Sequence, residues 1–262
     1  MFVEGALTSG GIVDLARDTG SHLAKVLRAR SGYELILFNG DGREFMGAIE
    51  AVRGSRVSVS IGAARSIDRE SPFRLTLVQC VPRGDRMDFI VQKATELGVC
   101  RIVPVLSQRG IVRLDDAQGA SKQAHWQAVA VSACEQCGRN RLPAVEAPQS
   151  LLNYLGAVPP TETGLLRLVL EPERAAQASL GARSIDIHAA EPVKGALVAI
   201  GPEGGFAPEE LDAFELSAFS RVGLGPRVLR TETAAIAAIV VLQARFGDMS
   251  AVSDDSSPTE DS

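Results

Sequence analysis

An α/β chain with a parallel sheet, preceded by a small all-β unit, is the fold class predicted by three features of this sequence. Up to about Glu70 the apolar residues alternate at a period of two between hairpin-type turns, and around Asp68-Arg69-Glu70-Ser71-Pro72 the pattern changes. After that point strand-like and helix-like runs follow one another in turn. Such alternation requires crossover connections, and so parallel pairing with helices on both faces of the sheet. The expected domains are residues 1–70, residues 73–248 and a tail over 249–262.

In the first domain, 34–39 alternates around Leu35, Leu37 and Phe38. Asn39-Gly40-Asp41-Gly42 has the composition of a hairpin turn, and 44–52 returns as a strand. Residues 56–61 alternate strictly, with Val57, Val59 and Ile61 on one face. Ahead of these, 21–30 reads as a short helix with Leu23, Val26 and Leu27 inward and Lys25, Arg28 and Arg30 projecting. In the second domain strands are expected at 73–81, 101–106, 164–170, 196–200 and 221–224, and helices at 85–97, 121–137 and 208–217. A last helix is expected over 231–246 with Thr231 or Thr233 as its N-cap. Residues 234–242 are apolar on every face, so this helix should be buried.

Composition narrows the function. With 45% hydrophobic and 23% charged residues, the chain has the make-up of an ordinary globular protein. No apolar run approaches a membrane span and the first residues lack a signal-peptide layout, which points to the cytoplasm and no membrane partner. Four cysteines make no disulfide framework, and Cys134-x-x-Cys137 has no second pair or histidine cluster beside it, so no metal is expected. The net charge of -5 hides an asymmetry. Four of the 32 acidic residues (Asp254, Asp255, Glu260, Asp261) lie in the Ser/Thr/Pro-bearing tail, which reads as disordered; the rest of the chain carries 28 against 27 basic residues. Between Arg83 and Arg141 cations outnumber acids, a patch suited to phosphates.

Two loops concentrate the chemistry. The buried strand 196–200 runs into Gly201-Pro202-Glu203-Gly204-Gly205-Phe206-Ala207-Pro208, where glycines permit close approach of backbone to a ligand around one carboxylate. The second loop, Leu224-Gly225-Pro226-Arg227-Val228-Leu229-Arg230-Thr231-Glu232-Thr233-Ala234, sets three charges beside the start of the last helix, where they need partners. In an open parallel sheet such loops at the carboxyl ends of strands are where ligands bind. Neither the Gly-x-Gly-x-x-Gly fingerprint nor a P-loop lysine is present.

Those two loops, in that order, resemble the bacterial RsmE family, the 16S ribosomal RNA uracil-1498 N3-methyltransferases of the SPOUT superfamily. Further motifs carry the likeness: His22-Leu23-x-x-Val26-Leu27-Arg28, Arg83-Gly84-Asp85-Arg86-Met87-Asp88-Phe89 with Gln92-Lys93-Ala94-Thr95-Glu96-Leu97-Gly98, and Ala133-Cys134-Glu135-Gln136-Cys137-Gly138-Arg139-Asn140-Arg141-Leu142-Pro143. The resemblance spans His22 to Asp248. Three departures stand out: no arginine precedes Phe2, Ala207 replaces the usual Ser or Thr cap, and the acidic tail is additional.

The resemblance implies a PUA-like β-barrel RNA-binding domain followed by a SPOUT domain with a deep trefoil knot. It further implies S-adenosylmethionine as cofactor, 16S rRNA in the small ribosomal subunit as substrate, and a homodimer. The cofactor pocket would comprise Leu170, Glu171 and Pro172; Ile200, Gly201, Pro202, Glu203, Gly204 and Gly205; and Leu224, Gly225, Val228, Leu229, Arg230, Thr231 and Thr233. Methylating uracil N3 requires loss of its proton and stabilisation of the imidate charge on O2 or O4. Arg230 suits the second task and Glu203 or Glu232 the first, although Glu232 could equally be an ion-pair partner of Arg227 or Arg230. Phosphate contacts would fall to Lys25, Arg28, Arg30, Arg83, Arg86, Lys93, Arg139 and Arg141. The alternatives are a non-catalytic RNA-binding assembly factor, or a SPOUT enzyme acting on another RNA.

Overall fold

The computed structural model describes residues 1–16, 19–20, 23, 29–159, 162–171 and 192–249. Most of the helix expected over 21–30, with Lys25 and Arg28, lies outside these residues, as do Pro172 and the tail beyond Met249. Contacts divide the chain into two compact units. One is Met1–Glu70 with Gln127–Pro143, and the other is Ser71–Trp126 with the chain from Ala144 onward. The stretch Gln127–Pro143, read from the sequence as part of the second domain, thus groups with the first.

The first unit holds an antiparallel sheet in the order β1 (Ile12–Asp14), β4 (Arg56–Ser66), β3 (Arg43–Arg53), β2 (Glu34–Leu37). Between β2 and β3 the chain reverses through Gly40 and Gly42, at φ 89° and 94°, a region that glycine enters without cost. Asp41 fixes the turn by accepting from the Arg43 N–H at 2.9 Å. Period-two patterning turns Val57, Val59 and Ile61 inward onto Leu37, Phe45 and Ile49, all 5% exposed or less. The second half of β4, which the sequence reading did not extend past Ile61, is exposed.

Two buried polar connections belong to this unit. Arg139, 5% exposed, donates to Glu70 from Nε at 3.0 Å and from Nη2. Asn140 donates to the Ile67 carbonyl at 2.7 Å. Burial alone would lower the Arg139 pKa, but the hydrogen bonds and charge of Glu70 more than offset it and raise the value.

The second unit is organised by a parallel sheet in the order β11 (Ser220–Val222), β9 (Leu165–Leu170), β10 (Gly195–Ile200), β5 (Arg74–Cys80), β6 (Arg101–Leu106), β7 (Ala144–Val145). β8 (Gln149–Ser150) also pairs with β6. Central strands buried on both faces read as continuous apolar runs, and β10 is buried at all six positions. On one face Val78, Cys80, Val103, Val105, Val169, Leu197 and Ala199 pack with α3 (Leu151–Ala157) and with Phe206, Phe214 and Phe219 around α4 (Pro208–Leu216). Gln79, of opposite parity to Val78 and Cys80, points to the other face and meets α5 (Thr231–Phe246). There α5 packs against α1 (Arg86–Glu96), β10 and β5.

Helix α2 (Asp116–Cys137) begins five residues earlier than expected. Asp115 accepts from the Gln118 N–H at 2.8 Å while Gln118 accepts from the Asp115 N–H at 3.2 Å, a reciprocal cap that the Asp-x-x-Gln spacing encodes. The last helix corrects two expectations. Its N-cap is Arg230, so Thr231 is the first helical residue. It is also not buried all round: Ala235, Ala238, Ile239 and Leu242 are fully enclosed, whereas Val240 and Val241 are 38% and 39% exposed.

Candidate methyl-donor cavity at the carboxyl edge of the sheet

Three strands of the second unit end side by side, β10 between β9 and β5, and the end of β9 and the loops after β10 and β11 line a cavity of about 270 Å³. Leu170 and Glu171 contribute from the end of β9; Ile200, Gly201, Pro202, Glu203 and Gly205 from the β10 loop; and Val222, Gly223 and Leu224 from β11 and its exit. Arg227, Val228, Leu229, Arg230, Thr231 and Ala234 complete it from the approach to α5 and its first turn.

Local sequence explains these shapes. Gly201 has no Cβ because one would sit 3.2 Å from the Phe206 ring, which packs edge-on against Phe214 at 4.9 Å and roots the loop in the core. A turn closed by the Gly205 N–H on the Pro202 carbonyl at 2.9 Å needs Gly205 at φ 68°. Ala207 cannot cap α4, so the buried carboxylate of Glu210 accepts from the Ala207 N–H at 2.8 Å. Its other oxygen accepts from the Gln108 N–H at 2.7 Å, so only the N3 half of a capping box is present and the same carboxylate ties the helix start to the loop after β6.

The two glycine-bearing loops are tied together beneath the cavity. Thr231 donates through Oγ1 to the Gly201 carbonyl at 2.8 Å and accepts there from Gln79 Nε2 at 2.9 Å. Gln79 is fully buried in β5 and also donates to the Cys80 carbonyl at 2.8 Å. The sequence reading did not select Gln79; its signal is a lone amide inside the run Leu75-Thr76-Leu77-Val78-Gln79-Cys80-Val81. Buried amides hold their place by hydrogen bonding, so a glutamine at the centre of a parallel sheet marks a fixed junction. Arg230, the N-cap of α5, offers no side-chain cap, which leaves the first-turn N–H groups for acceptor atoms of a ligand.

The charges sort differently from the sequence expectation. Arg86, expected on RNA phosphate, donates from Nη1 to Glu203 Oε1 at 2.6 Å, and its Nε lies 4.0 Å from Glu232 Oε1. The partner of Glu232 is therefore Arg86, not Arg227 or Arg230. Glu232 is mostly buried, and its Oε2 has no hydrogen-bond partner among the described residues. Arg230 is exposed at the cavity wall and makes no side-chain hydrogen bond or ion pair among the described residues.

Of the other expected pocket residues, Gly204, Gly225 and Thr233 do not line the cavity. Gly204 lies against Arg109, Gly225 serves its loop at φ 80°, and Thr233 faces outward on α5. Val222, Gly223, Arg227 and Ala234 line it in addition.

Among the residues expected to bind RNA, Arg30, Arg83 and Arg141 are exposed. Lys93 is paired with Glu96 at 2.9 Å. Arg139 is a correction: a guanidinium 5% exposed and engaged by Glu70 is held inside the protein and cannot reach a phosphate without breaking that pair. The thiols of Cys80 and Cys134 are pushed up to about 12 by burial and stay protonated near neutral pH, so neither is a nucleophile.

The cavity fits a sulfonium nucleoside in its chemistry. Leu170, Ile200, Leu224, Val228 and Leu229 offer apolar faces for a purine, while the carboxylates of Glu171 and Glu203 suit a positive centre and hydroxyl donors. Residues 69–243 match the family model of an RNA methyltransferase domain, and residues 15–62 that of an RNA methyltransferase PUA domain. The ribosomal RNA small subunit methyltransferase E of Buchnera aphidicola subsp. Schizaphis graminum is 30% identical over 95% of this chain and 97% of its own. That of Mycobacterium tuberculosis is 32% identical over 94% and 92%. A Legionella pneumophila methyltransferase solved with bound SAM superposes with a TM-score of 0.85 at 37% identity, covering 94% of this chain and 97% of that one. The Neisseria gonorrhoeae ribosomal RNA small subunit methyltransferase E, bound to S-adenosyl methionine, does so at 0.82 and 36% over the same shares. Identity at this level along nearly the whole of both chains shows that the protein belongs to the ribosomal RNA small subunit methyltransferase E family.

Proposed function

We propose that this protein transfers the methyl group of S-adenosylmethionine to N3 of uridine 1498 in 16S ribosomal RNA, within the small ribosomal subunit of the cytoplasm. The observation that carries the reading is the cavity itself: the two loops that hold the family motifs meet there, joined by Thr231 and Gly201. When bound, the cofactor supplies an electrophilic methyl carbon on a sulfonium. The chain's own residues do the rest. The β10 loop and the approach to α5 hold the donor in an apolar cleft. Arg230, which makes no side-chain hydrogen bond or ion pair among the described residues, donates from the cavity wall to the uracil carbonyl oxygen on which negative charge develops as the N3 proton leaves. Glu203, at the cavity rim, accepts that proton. Because N3 lies on the pairing edge, the uridine is swung out of any duplex before it reacts.

Three structural parts of this reading go with it. The second unit is a trefoil-knotted SPOUT domain, α5 being the threaded element that contacts α1, β5 and β10. The antiparallel sheet of the first unit belongs to a PUA-like barrel that gathers RNA phosphates with Arg30 and Arg141, and Arg83 of the second unit is a further phosphate ligand. The protein works as a homodimer, supported by the adjacent exposed apolar side chains Val240 and Val241 on α5. Mass spectrometry of 16S rRNA from a strain lacking the gene tests the activity. Loss of 3-methyluridine at position 1498, restored by the wild-type gene, is expected; an unchanged modification in the deletion strain overturns it.

A further inference from the structure

The Arg86–Glu203 pair stands at the mouth of the donor cavity, and neither its place nor its geometry is that of a buried structural salt bridge. The side chains are 40% and 39% exposed, and only Nη1 and Oε1 are used in the contact of 2.6 Å. Among the described residues no hydrogen-bond partner engages Arg86 Nη2 or Glu203 Oε2. One charge-assisted donor and one acceptor therefore stand next to each other beside the cleft. The pair is held in place from both sides. Arg86 opens α1 immediately after the turn at Gly84 (φ 65°), with Glu232 of α5 4.0 Å from its Nε. Glu203 stands on the loop anchored by Gly201 to Thr231.

We infer that Arg86 and Glu203 together read the base to be methylated, Glu203 accepting from N3–H and Arg86 donating to the neighbouring carbonyl oxygen, so that uracil is selected over cytosine. The inference rests on the methyl-transfer reading of the cavity and adds a base-specificity determinant to it. Uracil presents a donor at N3 between two acceptors, the complement of a carboxylate oxygen beside a guanidinium. The methyl donor fixes where N3 must lie. At that place cytosine presents a lone pair to the carboxylate, and each leaves the other without a hydrogen bond. In the reaction N3 gains the methyl carbon, the carbon–sulfur electron pair stays on sulfur, and the N3 proton leaves to the Glu203 carboxylate and then to water.

The test uses the full chain with small-subunit particles from a strain lacking the modification, carrying either uridine or cytidine at the target position. Methylation is read by mass spectrometry. The wild type is expected to favour uridine by at least about tenfold. In Arg86→Gln and Glu203→Gln the uridine rate falls and the preference shrinks severalfold, because an amide offers both a donor and an acceptor. Glu203→Gln should also recover rate as pH rises toward ionisation of uridine N3, more steeply than the wild type, a response that loss of a purely structural ion pair would not give. Without cofactor, short single-stranded RNAs bearing uridine or cytidine should be bound with different affinities by the wild type and with converging affinities by Arg86→Gln. Active variants with an unchanged uridine preference, and no alkaline recovery in Glu203→Gln, overturn the inference alone. A wild type that methylates neither particle overturns the reading of the cavity and this inference with it.

Discussion

The two edges of the parallel sheet carry cavities of opposite character. At the amino edge lies the larger, about 580 Å³ against 270 Å³, lined by four cations: Arg74, Arg101, Arg167 and Lys194. Volume and charge alone would choose it. Yet at least two of those cations serve the fold. Arg101 is locked onto Glu146, with Nε at 2.5 Å. Arg167, inside β9, donates to the carbonyls of Ser217 at 2.8 Å and Pro159 at 2.6 Å, closing the end of α4 and the turn after α3. At the carboxyl edge the smaller cavity has glycine-bearing loops, an uncapped helix start, an Arg230 side chain without a polar partner among the described residues, and a donor–acceptor pair at its rim. Donors and acceptors left available, rather than space, distinguish a site from a gap between layers.

That contrast can be broken at three points. The largest effect is expected at the carboxyl edge: Arg230→Ala should lower kcat for rRNA methylation by about 10²- to 10³-fold, with an unchanged circular dichroism spectrum. Full activity would remove Arg230 from the chemistry. A middle effect lies beneath the cavity. Gln79→Leu removes the buried donor to Thr231 and should cost about 1–3 kcal/mol in denaturant unfolding while weakening cofactor binding through the slackened Gly201 loop. Destabilisation without a change in cofactor affinity would show that the junction serves the core only. The smallest effect is expected at the amino edge, where Arg74→Ser should leave the methylation rate within about twofold of wild type, as surface substitutions away from functional features do. A tenfold loss there would mean that both edges serve the reaction.

Much of this was legible in the sequence because it depends on local periodicity. Apolar runs, alternating in β3 and near-continuous in the parallel strands, give β3, β5, β6, β9 and β10 to within a residue or two, and parallel pairing follows from the alternation of strands with helices. Glycine and proline placed the two site loops. The rest depends on what distant residues do for one another. β7 and β8 are two residues each and carry no period. Arg139 reads as a phosphate ligand until Glu70, 69 positions away, is seen to hold it. Arg86 reads as a member of a basic patch, and only the fold brings Glu203, 117 positions away, to its guanidinium. Gln79 was visible as an anomaly in an apolar strand, but its meaning lies in the hydroxyl of Thr231, 152 positions away.

The most direct test is a crystal structure of the full chain soaked with S-adenosylmethionine. Density for the cofactor is expected between the β10 loop at 201–205 and the approach to α5 at 224–231, its methyl group turned toward Glu203 and Arg230. Density at the amino edge between Arg74 and Lys194, or a carboxyl-edge cavity left empty at saturating cofactor, would contradict it.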